Sequence, residues 1–372
     1  MKFDKKFWAT TFTLTGTIIG AGILGLPYVF SQSGFLIGSF WLIFLGIITM
    51  YGFLCLGETV LRTKKDRQLP GLAKKYLGTK AEWLMFFAVI FGIYSALLAY
   101  LIGEGQSLSF LITGSYNYSI YFAIGFWLIM TLLLREGLKS LKKVETWGVL
   151  AIIIIILIIT VMYAPQINYK NLTTINLSKI FIPFGVVLFA LMGFTSIPEL
   201  ELEIKGSEKK FKLAIILGVL IPIIIYFLFS FIFVGVLGNN VPQVATLGLG
   251  KIVTLLGIFT MLTSYFILSF SLKDVFKFDL NLKPKTSFIL VSIIPVIIYL
   301  ILYLINFLDF VSILGIGGVI SGGITGILIF IISKKAKTMG NRKPEYTIPI
   351  NWPIIILISL IFILGIVVEL VF

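Results

Sequence analysis

Four glycines and a proline stand within twelve residues of an otherwise apolar segment, Gly16–Pro27, GTIIGAGILGLP. Glycine weakens a helix by roughly 1 kcal/mol relative to alanine and proline by about 3, so the helix is expected to open here. Opened backbone carries chemistry of its own. A helix end offers carbonyls without partners, which suit an ammonium group or a small cation. A helix start offers free N–H groups and a partial positive charge, which suit a carboxylate. Close packing of helices through small residues gives the same spelling, and this stretch alone does not separate the two. A second stretch bears on the choice. In FIPFGVVLFALMGFTSIPELELEI, Gly193 precedes Pro198 in mid-segment, with Thr195 and Ser196 between them. Taken together, the two breaks match the invariant part of an α-amino acid.

Composition says what must hold these stretches. Of 372 residues, 59% are hydrophobic and 12% charged, and the mean hydropathy is +1.08. No soluble domain of this size hides that much apolar surface, so the chain is an all-α polytopic membrane protein. Segments long enough to span need about 17–25 residues each. Eleven qualify: Phe7–Phe30, Phe35–Leu61, Ala81–Ile112, Ser119–Leu134, Val144–Tyr163, Ile180–Ile204, Lys212–Leu237, Lys251–Val275, Ser287–Ile305, Phe310–Ile332 and Trp352–Val371. The first runs longer than a signal-peptide core and is expected to be retained.

With the N-terminus cytoplasmic, 27 of the 30 lysines and arginines fall on the inner side; only Lys170, Lys179 and Lys251 do not. That partition obeys the positive-inside rule and places the C-terminus outside. It also assigns the formal charge of +14 to membrane topology rather than to nucleic acid. The breaks lie in segments one and six, five spans apart. Five is odd, so the second half enters from the opposite side. The expected architecture is one transmembrane domain built as a 5+5 inverted repeat with broken helices 1 and 6. Repeat one covers about 7–163, repeat two about 180–332, and an extra helix about 352–371. Paired interruptions of this kind point to the binding site of a secondary transporter. LPGLAKKYLG, Leu69–Gly78, is expected to lie as an amphipathic helix on the inner surface with its lysines toward anionic lipid. Gly238–Gly250 is expected to cover an outward cavity.

Several function classes are excluded or disfavoured. There are no histidines and one cysteine, Cys55, which removes internal disulfides and leaves zinc, haem and iron–sulfur centres almost without ligands. Ser-His and Cys-His nucleophiles are ruled out. No clustered acidic motif marks a lipid-processing enzyme, so no enzymatic activity and no cofactor other than a coupling ion are expected. A channel would need a selectivity loop or a charged pore ring, and neither is visible. A sensor that binds amino acids without carrying them is not separable from a carrier at this level. The expected partners are a small amino acid and the bilayer.

At the two breaks the sequence resembles the amino acid–polyamine–organocation superfamily of transporters. GTIIGAGILGLP is similar to its first-helix motif, a glycine–small–glycine run followed by proline. LFALMGFTSIPELELEIKGSEKKFKLAIILG is similar to its sixth helix, acidic exit and the start of the seventh. The layout and the GT-IGAG-LP spelling lean toward the aromatic and hydroxy amino acid permeases and their amino acid/auxin relatives. In layout the resemblance covers about the first 330 residues, with specific motifs in about fifty. It implies a leucine-transporter-like fold and cation-coupled symport by alternating access.

Carried over motif by motif, the resemblance implies that a substrate carboxylate meets the N–H groups of Ala21, Gly22 and Ile23, beside Gly20. The ammonium group meets carbonyls of Ile18 and of Phe189, Ala190 or Met192, next to Gly193, with Phe189 as an aromatic gate. A sodium ion is implied between the main-chain carbonyls of Gly16 and Ile19 and the hydroxyls of Thr260, Thr263 and Ser264; oxygen-only ligation suits a hard cation. Relatives that dispense with the cation carry a lysine in mid-helix five. Here the nearest lysines, Lys142 and Lys143, stand at the cytoplasmic entrance, so the alternative is a proton-coupled permease or exchanger of another design.

Glu104 is the one carboxyl group well inside a segment, and intramembrane acids are proton carriers or ion partners by default. Tyr100 and Ser107 share its helical face, and Tyr100, with Tyr94 as a rival, is expected to reach the substrate carboxylate. Glu58, Glu199, Glu201 and Glu203 sit near the inner boundary, where lysines and arginines can pair with them. No acid or base is placed to meet a charged side chain. A neutral substrate, aromatic or large aliphatic ahead of small, is the expectation.

Overall fold

The computed structural model describes residues 4–64, 68–136, 142–280 and 282–371. All eleven expected segments are helical. In chain order the helices are α1 Lys5–Ile18, α2 Gly22–Ser33, α3 Phe35–Leu61, α4 Leu69–Leu77, α5 Thr79–Thr113, α6 Ser119–Glu136, α7 Lys142–Tyr163, α8 Ile182–Ala190, α9 Ile197–Glu203, α10 Phe211–Leu237, α11 Lys251–Asp274, α12 Pro284–Leu304, α13 Phe310–Gly317, α14 Gly323–Met339 and α15 Trp352–Val371. Among the described residues, eight helical stretches are long and apolar enough to cross a bilayer, or nine if the bent pair α1/α2 is one span. The fourth and fifth expected segments contribute shorter apolar stretches, Ser119–Arg135 and Ile152–Gln166. The side chains of Lys142 and Lys143 lie outside the described residues.

The first break is narrower than Gly16–Pro27. Gly16 is helical in α1, the backbone opens over Ile19–Ala21, and α2 resumes at Gly22 with its axis turned by 56°. Pro27 sits inside α2, where it cannot donate to the Ile23 carbonyl one turn back. The second break falls just ahead of its proline as well. α8 ends at Ala190, Leu191–Gly193 is unwound, a short 3₁₀ turn covers Phe194–Ser196, and α9 begins at Ile197. Pro198 occupies the opening of α9, where its missing N–H has no helical acceptor anyway. Glycine opens both breaks; proline does not.

α5, at 35 residues the longest helix, packs on α4, α6, α11, α12 and α13, while α10 packs on α1, α2 and α3. The half-helices α2 and α8 pack on each other. The tenth expected segment is interrupted by a π-turn over Gly318–Gly322, between α13 and α14. A β-carbon on Gly318 would stand 2.7 Å from the Phe189 nitrogen, so the absent side chain is what lets this turn press against α8. The apolar face of α4 turns inward rather than onto lipid. Leu69, Leu72, Ala73 and Tyr76 are buried, α4 packs on α5 and α14, and Lys74 pairs with Glu82 at 3.0 Å.

The C-terminal end of α3 is tied down by a strap. Residues 340–351 run without regular structure between α14 and α15. Glu58, 3% exposed, accepts from Arg62 at 2.7 Å, Lys337 at 2.6 Å and the Ile348 N–H at 2.7 Å. The Tyr346 hydroxyl donates to the Leu54 carbonyl at 2.9 Å. Removing one partner of such a buried cluster leaves the others uncompensated. Glu58→Ala is expected to destabilise the detergent-solubilised protein by about 3 kcal/mol, seen as a lowered melting temperature, and Glu58→Gln by less.

Asp4 caps α1 through the Phe7 N–H at 3.0 Å and joins it to the segment before α10 through Lys210 at 2.8 Å and Ser207 at 2.7 Å. Lys210, then Ser207 and the Phe7 N–H, hold its carboxyl well below the usual carboxylate range. A depressed pKa contributes stability that is present above the unfolded value and lost as pH falls toward the folded one. This tie is therefore expected to loosen only below about pH 4. Amide hydrogen exchange at the start of α1 should stay flat from neutral pH down to that point, after allowing for its intrinsic pH dependence.

Candidate functional site

The two breaks meet. The Tyr226 hydroxyl, from the middle of α10, lies 2.7 Å from the Ile18 carbonyl and 2.9 Å from the Ala190 carbonyl, donating to both. These are the last residues of α1 and of α8, so one phenol bridges the carbonyl ends of both broken helices. Tyr226 is fully buried. Nothing in PIIIYFLFSF distinguishes it from a core aromatic.

On the other side of the first break, the Ala21 N–H donates to the Tyr100 hydroxyl at 2.9 Å. Ala21 stands at the N-cap of α2, where the helix presents free N–H groups. The side chain of Ser264, on α11, lies near the same hydroxyl. Two helices outside the breaks, α5 and α10, thus send a hydroxyl to them. Tyr94 does not join: its hydroxyl donates to the Leu290 carbonyl on α12 at 3.1 Å.

Glycines set how closely the broken helices approach. A β-carbon at Gly22 would stand 2.5 Å from that of Ala190, and one at Gly193 2.8 Å from the Ile18 side chain. At Gly20 it would meet the Tyr100 hydroxyl at 3.1 Å. Ile23 is buried one residue further along α2. Beside the second break, a β-carbon on Gly92 of α5 would lie 3.2 Å from the Met192 side chain, and one on Gly317 3.1 Å from the half-buried Phe189 ring. A β-carbon on Gly317 would also stand 2.6 Å from the Ser95 side chain, so Phe189, Met192 and Ser95 all pack against glycines beside the second break.

The residues named for a cation are only partly brought together. Ile19 closes α1, its N–H on the Thr15 carbonyl at 2.9 Å, and Gly16 lies one turn earlier. Ser264 lies near the Tyr100 hydroxyl, itself on the Ala21 N–H. Thr260 and Thr263 spend their hydroxyl hydrogens within α11, on Leu256 at 2.8 Å and on Phe259 and Thr260 at 3.0 Å. Glu104, one turn beyond Tyr100 on α5, is fully buried, and neither of its carboxyl oxygens has a hydrogen-bond partner; nor has the Ser107 hydroxyl.

Fold and site define a polytopic helical membrane protein in which buried phenol hydroxyls meet the opened backbone of two helix breaks. The chain belongs to the tryptophan/tyrosine permease family, whose sequence profile matches residues 3–248, a stretch holding both breaks, Tyr100 and Tyr226. Tyrosine-specific transport system 1 of Haemophilus influenzae is 25% identical over 238 residues, 63% of this chain and 59% of that protein. Amino acid transporter AVT1H of Arabidopsis thaliana is 23% identical over 221 residues, 57% of this chain and 52% of that protein. Glutamine transporter 2 of Aliivibrio fischeri is 22% identical over 241 residues, 63% of this chain and 62% of that protein. The matches span less than two thirds of the length of each of these relatives.

Proposed function

We propose that this chain is a secondary active amino acid transporter that carries a neutral amino acid by cation-coupled symport. The observation that carries the reading is the convergence of the Ile18 and Ala190 carbonyls on one point, with the Ala21 N–H on the far side of the same break. Two carbonyl ends and a helix start around one small volume suit an ammonium and a carboxylate on one carbon. The names of the relatives, which include tyrosine and glutamine carriers, favour a neutral substrate. In this reading the eleven helical segments span the membrane as a 5+5 inverted repeat plus α15, N-terminus inside and C-terminus outside. Phe189, Met192 and Ser95 meet the substrate side chain. An outer cavity of about 350 Å³ beside the end of α2, lined by Gln32, Asn176, Lys179 and Asn239 among others, is the approach from outside.

The coupling ion has two readings. A proton is favoured by Glu104, a buried carboxyl group without partners one turn from Tyr100. Sodium is favoured by Ser264 at the break, with the carbonyls of Gly16 and Ile19 nearby in sequence and the second lone pairs of the Thr260 and Thr263 hydroxyls open to ligation. Uptake of a labelled amino-acid panel into liposomes holding the purified chain, under a sodium or a proton gradient imposed separately, tests both levels. The reading expects accumulation of a neutral amino acid under one gradient. Flux confined to arginine, lysine or glutamate contradicts the substrate class, and no flux with any amino acid contradicts transport.

A further inference from the structure

Tyr226 does more than fill the core. Its single hydrogen is shared between two carbonyls, at 2.7 and 2.9 Å, each belonging to the partially negative end of a helix. Two acceptors around one proton are under-supplied, and a phenolic oxygen can accept as well as donate. An ammonium group brings three donors and a full positive charge. Between the same carbonyls it donates to both and has one N–H left over. The hydroxyl that bridged those carbonyls is then the oxygen at hand to accept it, its own hydrogen turning to one carbonyl alone.

We propose that Tyr226 is a positioning residue for the substrate ammonium group. Without substrate its hydroxyl stands in for the ammonium and keeps the ends of α1 and α8 together. With substrate it accepts the third N–H and so selects a primary ammonium over a neutral group in its place. This rests on reading the breaks as an amino acid site. A purely structural tie between α10 and the breaks makes a different prediction, because it is blind to what the substrate carries on its α-carbon.

Equilibrium binding to the purified full chain separates the two. The probes are L-tyrosine, L-leucine and L-glutamine, each beside the 2-hydroxy acid of the same side chain. Tyr226→Phe is expected to weaken the amino acid that binds by about tenfold and its 2-hydroxy acid by less than about threefold, as befits loss of one hydrogen bond to a charged group. Equal loss on both, or loss on neither, overturns the proposal while leaving the amino acid site standing. Failure of the unmodified chain to bind any of the three amino acids overturns the underlying reading and this one with it. Where Tyr226→Phe leaves the carbonyls unpaired and does not fold, Tyr226→His keeps a ring with one donor and one acceptor. Its preference for amino acid over hydroxy acid should stay within about threefold of the unmodified chain. Loss of that preference in a folded Tyr226→His protein contradicts the proposal.

Discussion

Gly22→Leu is expected to abolish amino acid uptake, by at least about 100-fold, in protein that still reaches the membrane. The first atom of any side chain at residue 22 would stand 2.5 Å from the Ala190 β-carbon and 3.0 Å from the Ala190 nitrogen. The obstacle includes backbone, so no rotamer change relieves it. α2 and α8 must separate, and with them the Ala21 N–H and the Ala190 carbonyl that the substrate has to join at once. Gly125→Ala is the matched control: nothing lies within 4 Å of a β-carbon there, and uptake should be unchanged. Uptake into proteoliposomes, normalised to reconstituted protein, checks both. Full activity in Gly22→Leu would mean that close approach of the half-helices is only packing.

Glu104→Gln is the second large effect. Glutamine keeps shape and volume but cannot carry a proton. If Glu104 couples transport to the proton gradient, accumulation against a concentration gradient should fall by about tenfold or more, whereas exchange of internal for external amino acid should persist. The melting temperature should hold or rise, because neither carboxyl oxygen has a partner to lose. Accumulation at the unmodified level would remove Glu104 from the coupling path. Equal loss of accumulation and exchange would mean that it supports the site rather than the ion.

Much of this was legible in the sequence, for a physical reason. In hydrocarbon a break must be written in glycine and justified by a ligand or by buried protein, so Gly16–Gly22 and Gly193 stand out against leucine and isoleucine. The helical segments were legible because a helix must cover the bilayer, which forces long apolar runs between polar connections. The prolines misled by a few residues: Pro27 lies inside α2 and Pro198 opens α9, so the breaks sit ahead of them. Tyr226 was not legible. An aromatic residue in an apolar helix is core by default, and only the fold shows its hydroxyl aimed at two helix ends. The strap over Glu58 was hidden for the same reason, since Tyr346 and Ile348 act through contacts nearly 300 positions away in sequence.

The N–H of Ala21 is the point on which the account turns, and it can be observed alone. Gly20–Ala21 is the only glycine–alanine pair in the chain. A sample labelled at glycine carbonyls and alanine amides therefore gives one doubly labelled peptide bond in a magnetic resonance spectrum. On titration with a transported amino acid, that amide signal is expected to move saturably, as the substrate carboxylate replaces the Tyr100 hydroxyl. The corresponding amino acid amide, which lacks the carboxylate, should leave it in place. A signal that stays fixed while the amino acid demonstrably binds would contradict the central claim that the opened backbone of the first break holds the substrate.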